Sequence, residues 1–408
     1  MQITMKLLFA LMPLAMVSAQ TDTPTNDPFY SVPANIASYT AGTVILNRVR
    51  PVNTTIDSPR LQAAYQIFYR TNVTGDVADG TVATVFVPTN PKTPAKIFSY
   101  QAAEDATNLD CATSYALVDG SSSKNTAIQK LSQQVISNAL SKGYYVVASD
   151  AEGSKSAWLA GVTEGRACLD AIRATIKQWK LPTNTSVALF GYSGGAHTTV
   201  WASSLAASYA PKLNIVGASY GGTPVDLRAA IQYLNGGFYS LLSLAGLFGL
   251  ANAYPALNDY FVSVFNGNGR SDDAHFNTPG YCTSDKIATG IYINYLKFDF
   301  TEDILTPGTV ASEIIDDESL LSTSSTLAIP VPKFPRYQYH SQKDDVVPFA
   351  PAQQYVDEQC KRGANLAFRA YASGNHIDTG FNTTEALMFT TAALEGKLTK
   401  IVCGQSYY

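Results

Sequence analysis

Charge, histidine and cysteine are all scarce in this chain, and each scarcity removes a class of function. Only 15% of the 408 residues are charged, with Lys+Arg 28 against Asp+Glu 32 and a formal net charge of -4. No cluster of Lys or Arg interrupts that balance, so the electrostatic footprint needed for nucleic-acid binding is missing. The four histidines and five cysteines fall in no zinc-ligand spacing. No glycine-rich phosphate loop is followed by a lysine, so no metal and no cofactor is expected. The apolar run from Leu7 to Val17 falls well short of the ~20 residues that cross a bilayer, which argues against a transmembrane segment. With Lys6 before it and Val17-Ser18-Ala19 after it, residues 1–19 read instead as a secretory signal peptide.

What is plentiful is apolar surface. Hydrophobic residues make up 46% of the chain, including 24 Tyr and 18 Phe. That excludes disorder and permits a large core. The length allows two or three domains, and one catalytic core carrying a large insertion is the better reading. Four Asn-x-Ser/Thr sequons, at Asn53, Asn72, Asn184 and Asn382, agree with export through a glycosylating pathway. In an exported chain, five cysteines imply two disulfides and one leftover thiol. Cys168 is the natural odd one out, since it sits beside the helical stripe Leu169, Ile172, Ile176 and Trp179. Cys111, Cys282, Cys360 and Cys403 lie in loop-like or terminal contexts, and spacing alone leaves their pairing open.

Strand-like runs recur at 81–87, 97–100, 144–148, 187–190, 215–219 and 337–339, and 366–371 is strand-like as well. Helical patterns at 157–180 and 197–209 lie between them. Strand, helix, strand in sequence predicts an α/β fold with a mainly parallel sheet flanked by helices, and ligands at the carboxyl ends of its strands. The rhythm breaks between about Pro224 and Leu327, where Leu, Gly, Tyr and Asn dominate. The organisation read from this is a core over 20–224 and 328–408 with a helical cap inserted at 225–327.

Chemistry begins at Gly191-Tyr192-Ser193-Gly194-Gly195. A Gly-x-Ser-x-Gly that ends a strand and opens a helix is a nucleophile elbow, where small neighbours let a strained turn expose the hydroxyl. Gly217-Ala218-Ser219-Tyr220-Gly221 matches the same pattern, but Thr223 as N-cap and Pro224 at the first helical position delay its helix. Ser193 is therefore preferred to Ser219. A serine needs a histidine base, held in turn by a carboxylate. His197 reads as a packed helical residue, His275 as a solvated one and His340 as support near the site. The order Ser, acid, His selects His376, in Gly374-Asn375-His376. The acid then comes from Asp344-Asp345, with Asp344 preferred and Asp345 as the fallback.

Gly191 to Gly195, Gly221-Gly222-Thr223-Pro224, Tyr339-His340 with Asp344 to Pro348, and Asn375-His376 together resemble the fungal secretory lipases of the yeast lipase A type. These are α/β-hydrolases with a helical cap, and the likeness runs from about Asp27 to Cys403. The resemblance implies Ser193, Asp344 and His376 as the triad, and disulfides Cys111 with Cys282 and Cys360 with Cys403. Its loop after an early strand matches Ala103-Glu104-Asp105, which implies an oxyanion hole of the Asp105 and Gly194 backbone amides. It departs at the C-terminus, where the lipase A type carries a longer tail over the site and this chain ends at Tyr408.

The function expected is a secreted triacylglycerol lipase, monomeric, working at a lipid–water interface on acylglycerols. The leucines between Tyr233 and Leu257 are expected to line an acyl pocket or to hold the cap to the core. The alternatives are an esterase or deacetylase for small esters, an inactive secreted binding protein on the same fold, and, more distantly, a peptidase.

Overall fold

A computed structural model describes residues 22–321 and 329–408. The signal segment 1–19 lies outside the described residues, as does the end of the expected cap at 322–327. Nine strands form one sheet in the order β1-β2-β3-β5-β4-β6-β7-β8-β9. They are β1 (Val44–Val52), β2 (Leu61–Asn72), β3 (Ala78–Pro88), β4 (Lys96–Gln101), β5 (Tyr145–Ser149), β6 (Ser186–Tyr192), β7 (Asn214–Gly221), β8 (Arg336–Ser341) and β9 (Leu366–Tyr371). From β5 across to β9 every pairing is parallel. β1, β2 and β3 add an antiparallel flank, joined to the rest by an antiparallel β3–β5 pair. The sequence reading recovered the parallel strands and missed β1 and β2.

Period-two burial explains why the central strands read as continuous apolar runs. In β4 and β6, Ile97, Val187 and Leu189 face one layer, with helices Gly161–Gln178, Gly194–Tyr209 and Phe349–Lys361. Phe98, Ala188 and Phe190 face the other, with helices Thr126–Ser141 and Thr384–Leu394. A strand buried on both faces has no polar side to show. Helix Gly161–Gln178 starts four residues later than its apolar pattern predicts. Ser156 and Leu159 sit at φ 50 and 68, outside helical space. The Glu164 carboxylate takes the Leu159 N–H at 2.8 Å and Glu318 takes the Gly161 N–H at 2.8 Å, so the chain enters the helix through a built turn.

Between β7 and β8 the described residues form helices and no strand, including Leu227–Leu234, Ser240–Ala253, Pro255–Val264, Gly267–Phe276 and Val310–Asp317. They share an apolar cluster of their own, with Leu244, Leu247, Leu250 and Phe261 at its centre. Cys111 is joined to Cys282, which ties these helices to the loop after β4, and Cys360 to Cys403, which pins the C-terminal segment. Cys360 lies in helix Phe349–Lys361 rather than in a loop. Cys168 is a buried free thiol.

Candidate active site

The parallel strands deliver four functional candidates to their carboxyl ends: Asp105 after β4, Ser193 after β6, Asp344 after β8 and His376 after β9. Ser193 stands between strand and helix at φ 56 and ψ -125. Its neighbours are glycines for a steric reason. A Cβ on Gly191 would meet the Gly195 oxygen at 2.0 Å, and one on Gly195 would meet the Gln101 oxygen at 2.1 Å.

His376 Nε2 lies 2.8 Å from Ser193 Oγ, and its Nδ1 lies 2.8 Å from Asp344 Oδ2. Asp344 Oδ1 accepts the N–H groups of Val346 and Val347 at 2.9 and 2.7 Å. Burial works to raise the Asp344 pKa. The hydrogen bond and charge of His376, with His340 and the Val347 N–H, outweigh it and hold the carboxyl below its ordinary value. With the aspartate ionised, the network assigns the proton to Nδ1 and leaves Nε2 free to accept from the serine.

The fallback acid has a different place. Asp345 accepts the backbone N–H of His376 at 3.0 Å. Asn375 caps the helix His376–Phe381, and its side chain accepts from the Asp378 N–H, so the two aspartates and the cap together fix the start of that helix. His340 is fully buried, with Nε2 3.0 Å from the Val347 oxygen and 3.5 Å from Asp344 Oδ2. Burial lowers its pKa.

The remaining candidates are elsewhere. His197 is buried between Glu164, 2.8 Å from its Nδ1, and the Trp201 indole N–H, which donates to its Nε2 at 3.1 Å. His275 is exposed beside Asp272. Ser219 is fully buried in β7, donating to the Ala386 oxygen and accepting from the Thr390 hydroxyl. The sequon residues Asn53, Asn184 and Asn382 are exposed and Asn72 is half-buried.

Ser193, His376 and Asp105 line a cavity of about 160 Å³ whose other walls are largely apolar. Ile128 and Leu131 come from helix Thr126–Ser141, Ile377 and Phe381 from the histidine helix, and Leu242 and Ile287 from the segment between β7 and β8. Of the leucine-rich stretch 233–257, only Tyr239 and Leu242 reach this cavity. Leu244, Leu247 and Leu250 hold helix to helix instead, because a helix buried all round spends its apolar faces on its neighbours. A larger surface groove, about 550 Å³, is lined by Met388, Thr391 and Tyr408 and holds none of these residues. Among the described residues no three His, Cys, Asp or Glu side chains are grouped to hold a metal, and no helix is long and apolar enough to cross a membrane.

Asp105 has φ 50, and its Oδ1 lies 1.8 Å from where a Cβ on Gly194 would stand. Burial raises its pKa to about 7, against the opposing pull of His376.

The secretory lipase family model matches residues 119–400. The chain is 42% identical over 383 residues to lipase A of Moesziomyces aphidis, covering 93% of this chain and 82% of that one. The chain belongs to the secretory lipase family. Another relative of this lipase, a secreted triacylglycerol lipase of Malassezia globosa, is 35% identical over 91% of this chain and 77% of its own length. The solved structure of Candida antarctica lipase A in its closed state superposes with a TM-score of 0.91 at 40% identity, covering 95% of this chain and 90% of that one. The fold is therefore the α/β-hydrolase fold, and the lipase is a carboxylic ester hydrolase.

Sequence reasoning missed Tyr192. Its hydroxyl donates to the His376 oxygen at 2.6 Å, and its ring lies 4.9 Å from the imidazole, centroid to centroid. Its place inside the elbow was the available signal, since a residue flanking the nucleophile must pack on something nearby. Gly222, at φ 56, passes so close that a Cβ would meet His376 Cε1 at 2.8 Å and the Tyr192 ring carbon Cζ at 2.8 Å, which is why the turn after β7 is glycine-rich.

Proposed function

We propose that this secretory lipase is exported and hydrolyses acylglycerols through an acyl-enzyme on Ser193. The observation that carries the reading is the unbroken hydrogen-bonded chain Ser193, His376, Asp344 at an apolar cavity. In the first half-reaction His376 Nε2 takes the hydroxyl proton while Ser193 Oγ bonds to the ester carbonyl carbon. The backbone N–H groups of Gly194 and Asp105 receive the resulting oxyanion, a contribution of about a hundred- to a thousandfold per donor in other hydrolases. Collapse breaks the carbon–alkoxide bond, and the alcohol leaves with the proton from Nε2. Water repeats the sequence and releases the fatty acid.

Asp344 holds the imidazole in the accepting tautomer and stabilises the imidazolium that forms. Residues 225–327 act as the cap and 20–224 with 328–408 as the core. Export through the signal at 1–19 is supported by the two disulfides and by relatives named as secreted. Exposed Phe238, Tyr292, Ile377 and Phe381, the last two also lining the cavity, suit a monomer docked at a lipid–water interface.

The test is hydrolysis of p-nitrophenyl esters from acetyl to palmitoyl, with Ser193→Ala and Ser219→Ala alongside. Rates that rise toward long chains and vanish in Ser193→Ala alone support the reading. The modest cavity volume favours one competitor, a small-ester esterase, and activity confined to acetyl and butyryl esters would establish it.

A further inference from the structure

Besides the cavity that holds the serine, a second one lies on the far side of Glu152. The second, also about 160 Å³, is lined by Asp79, Glu152, Lys155 and Thr163 of the core and by Asn252 and Ala253 of helix Ser240–Ala253. Glu152 takes the Ala106 N–H on its carboxylate at 3.3 to 3.4 Å. Ala106 follows Asp105, which lines the catalytic cavity. The Glu152 carboxylate and the Asp105–Ala106 backbone it holds therefore form a wall between the two.

That wall is lined by polar groups that nothing in the chain satisfies. Asp105 Oδ1, Thr107 Oγ1, Ser156 Oγ and Trp158 Nε1 are all buried without a hydrogen-bond partner. They belong to one seam. Asn252 Nδ2 donates to both the Thr107 and the Ser156 carbonyls, at 3.2 and 3.1 Å, which sets these residues side by side. A Cβ on Gly194 would stand 1.8 Å from Asp105 Oδ1 and 3.2 Å from Trp158 Nε1, so the seam ends at the first residue after the nucleophile. A buried polar group without a partner in the chain calls for water, and these four are set side by side, which gives a water path its polar partners.

We propose that this seam is a water inlet, leading from the cavity beside Glu152 past Thr107 and Ser156 to the acyl-enzyme on Ser193. The proposal rests on the ester-hydrolase reading above. An enzyme seated on lipid has its apolar mouth filled by acyl chains and departing alcohol, while deacylation still consumes one water per turnover. In that step the water oxygen bonds to the acyl carbonyl carbon and its proton passes to His376 Nε2. The carbon–Oγ bond then breaks, Ser193 Oγ regains the proton, and the carboxylic acid leaves. A polar rear entrance supplies the water without opening the lipid face.

The test uses competition between water and 1-octanol for one acyl-enzyme. Ala253→Phe, at a half-buried position, fills the outer cavity. Thr107→Val with Ser156→Ala removes two of the orphaned hydroxyls at nearly constant shape. Stopped-flow release of p-nitrophenol gives the acylation burst, and product analysis gives the ratio of free acid to octyl ester. Both products arise from the same acyl-enzyme, so the ratio does not depend on how much of a variant folds. Each variant is expected to lower the acid-to-ester ratio by about threefold or more, the scale of losing an ordered water, with the burst rate unchanged. A ratio equal to the parent's overturns the inlet, as does a double variant that gains thermal stability at an unchanged ratio, which identifies a dry seam. Absence of any burst in the parent would overturn the hydrolase reading instead.

Discussion

Replacing Asp105 with Asn tests the least usual feature of the site, a carboxyl lying against the first residue after the nucleophile. Burial raises its pKa from 3.8 to about 7, with Glu164 pushing the same way and His376 and His197 opposing. Below about pH 7 the group is neutral; above it, a negative charge lies against Gly194, beside the proposed oxyanion hole. Two unit charges about 4 Å apart repel by roughly 4 kcal/mol at an effective dielectric near 20. Half of that still lowers the rate by more than about tenfold. The parent kcat/KM should therefore fall by up to about tenfold per pH unit above about pH 7. Asn is neutral at every pH, keeps the shape and tolerates the φ of 50 at this position. Initial rates on a soluble butyryl ester from about pH 4 to pH 9 should show the alkaline fall in the parent and its absence in Asp105→Asn. Stability carries the same sign. A carboxyl whose folded pKa is raised contributes stability that is full below its unfolded pKa and is lost as pH rises through the folded one, between about 4 and 7. An alkaline limb that is identical in parent and variant would refute the reasoning.

Tyr192→Phe removes the hydrogen bond to the His376 carbonyl and should lower kcat by roughly tenfold with KM little changed, about one hydrogen bond's worth of positioning, measured on the same butyryl ester. Ser219→Ala should leave the acylation burst intact and lower the melting free energy by about 1 kcal/mol, the cost of losing its buried bonds with Ala386 and Thr390, read by denaturant titration. Replacing Cys111 and Cys282 with Ser opens a closed loop of 171 residues. On chain entropy alone this costs at most about 5 kcal/mol, and a melting temperature unchanged from the parent's would contradict it.

Much of the site was legible because it lies where a strand ends. Gly191 to Gly195 can only close as an elbow if both flanking residues lack a Cβ, so the motif carried its own geometry. The order of Asp344 and His376 followed from the order of parallel strands. The parallel strands showed as apolar runs because both faces are covered. β1 and β2 escaped notice for the opposite reason. They pair antiparallel at one side of the sheet, and polar Asn47, Arg48, Arg50, Gln62 and Gln66 break their apolar pattern. The acyl-side walls were also hidden, since Ile128 and Leu131 come from one helix and Ile287 and Phe381 from two other segments, and no local periodicity joins the three. The leucines of Ser240–Ala253 misled in the same way: apolar spacing marks burial but does not say whether the neighbour is a ligand or another helix.

The central claim, that Ser193 is the nucleophile of a working triad, is tested most directly by trapping it. The folded enzyme would be treated with a fluorophosphonate ester and its peptides mapped by mass spectrometry, for the parent and for His376→Ala. One adduct is expected, on Ser193, with labelling slowed by at least about a thousandfold without His376, as for other triads that lose a member. An adduct on Ser219, or labelling of Ser193 at an equal rate without the histidine, would contradict it.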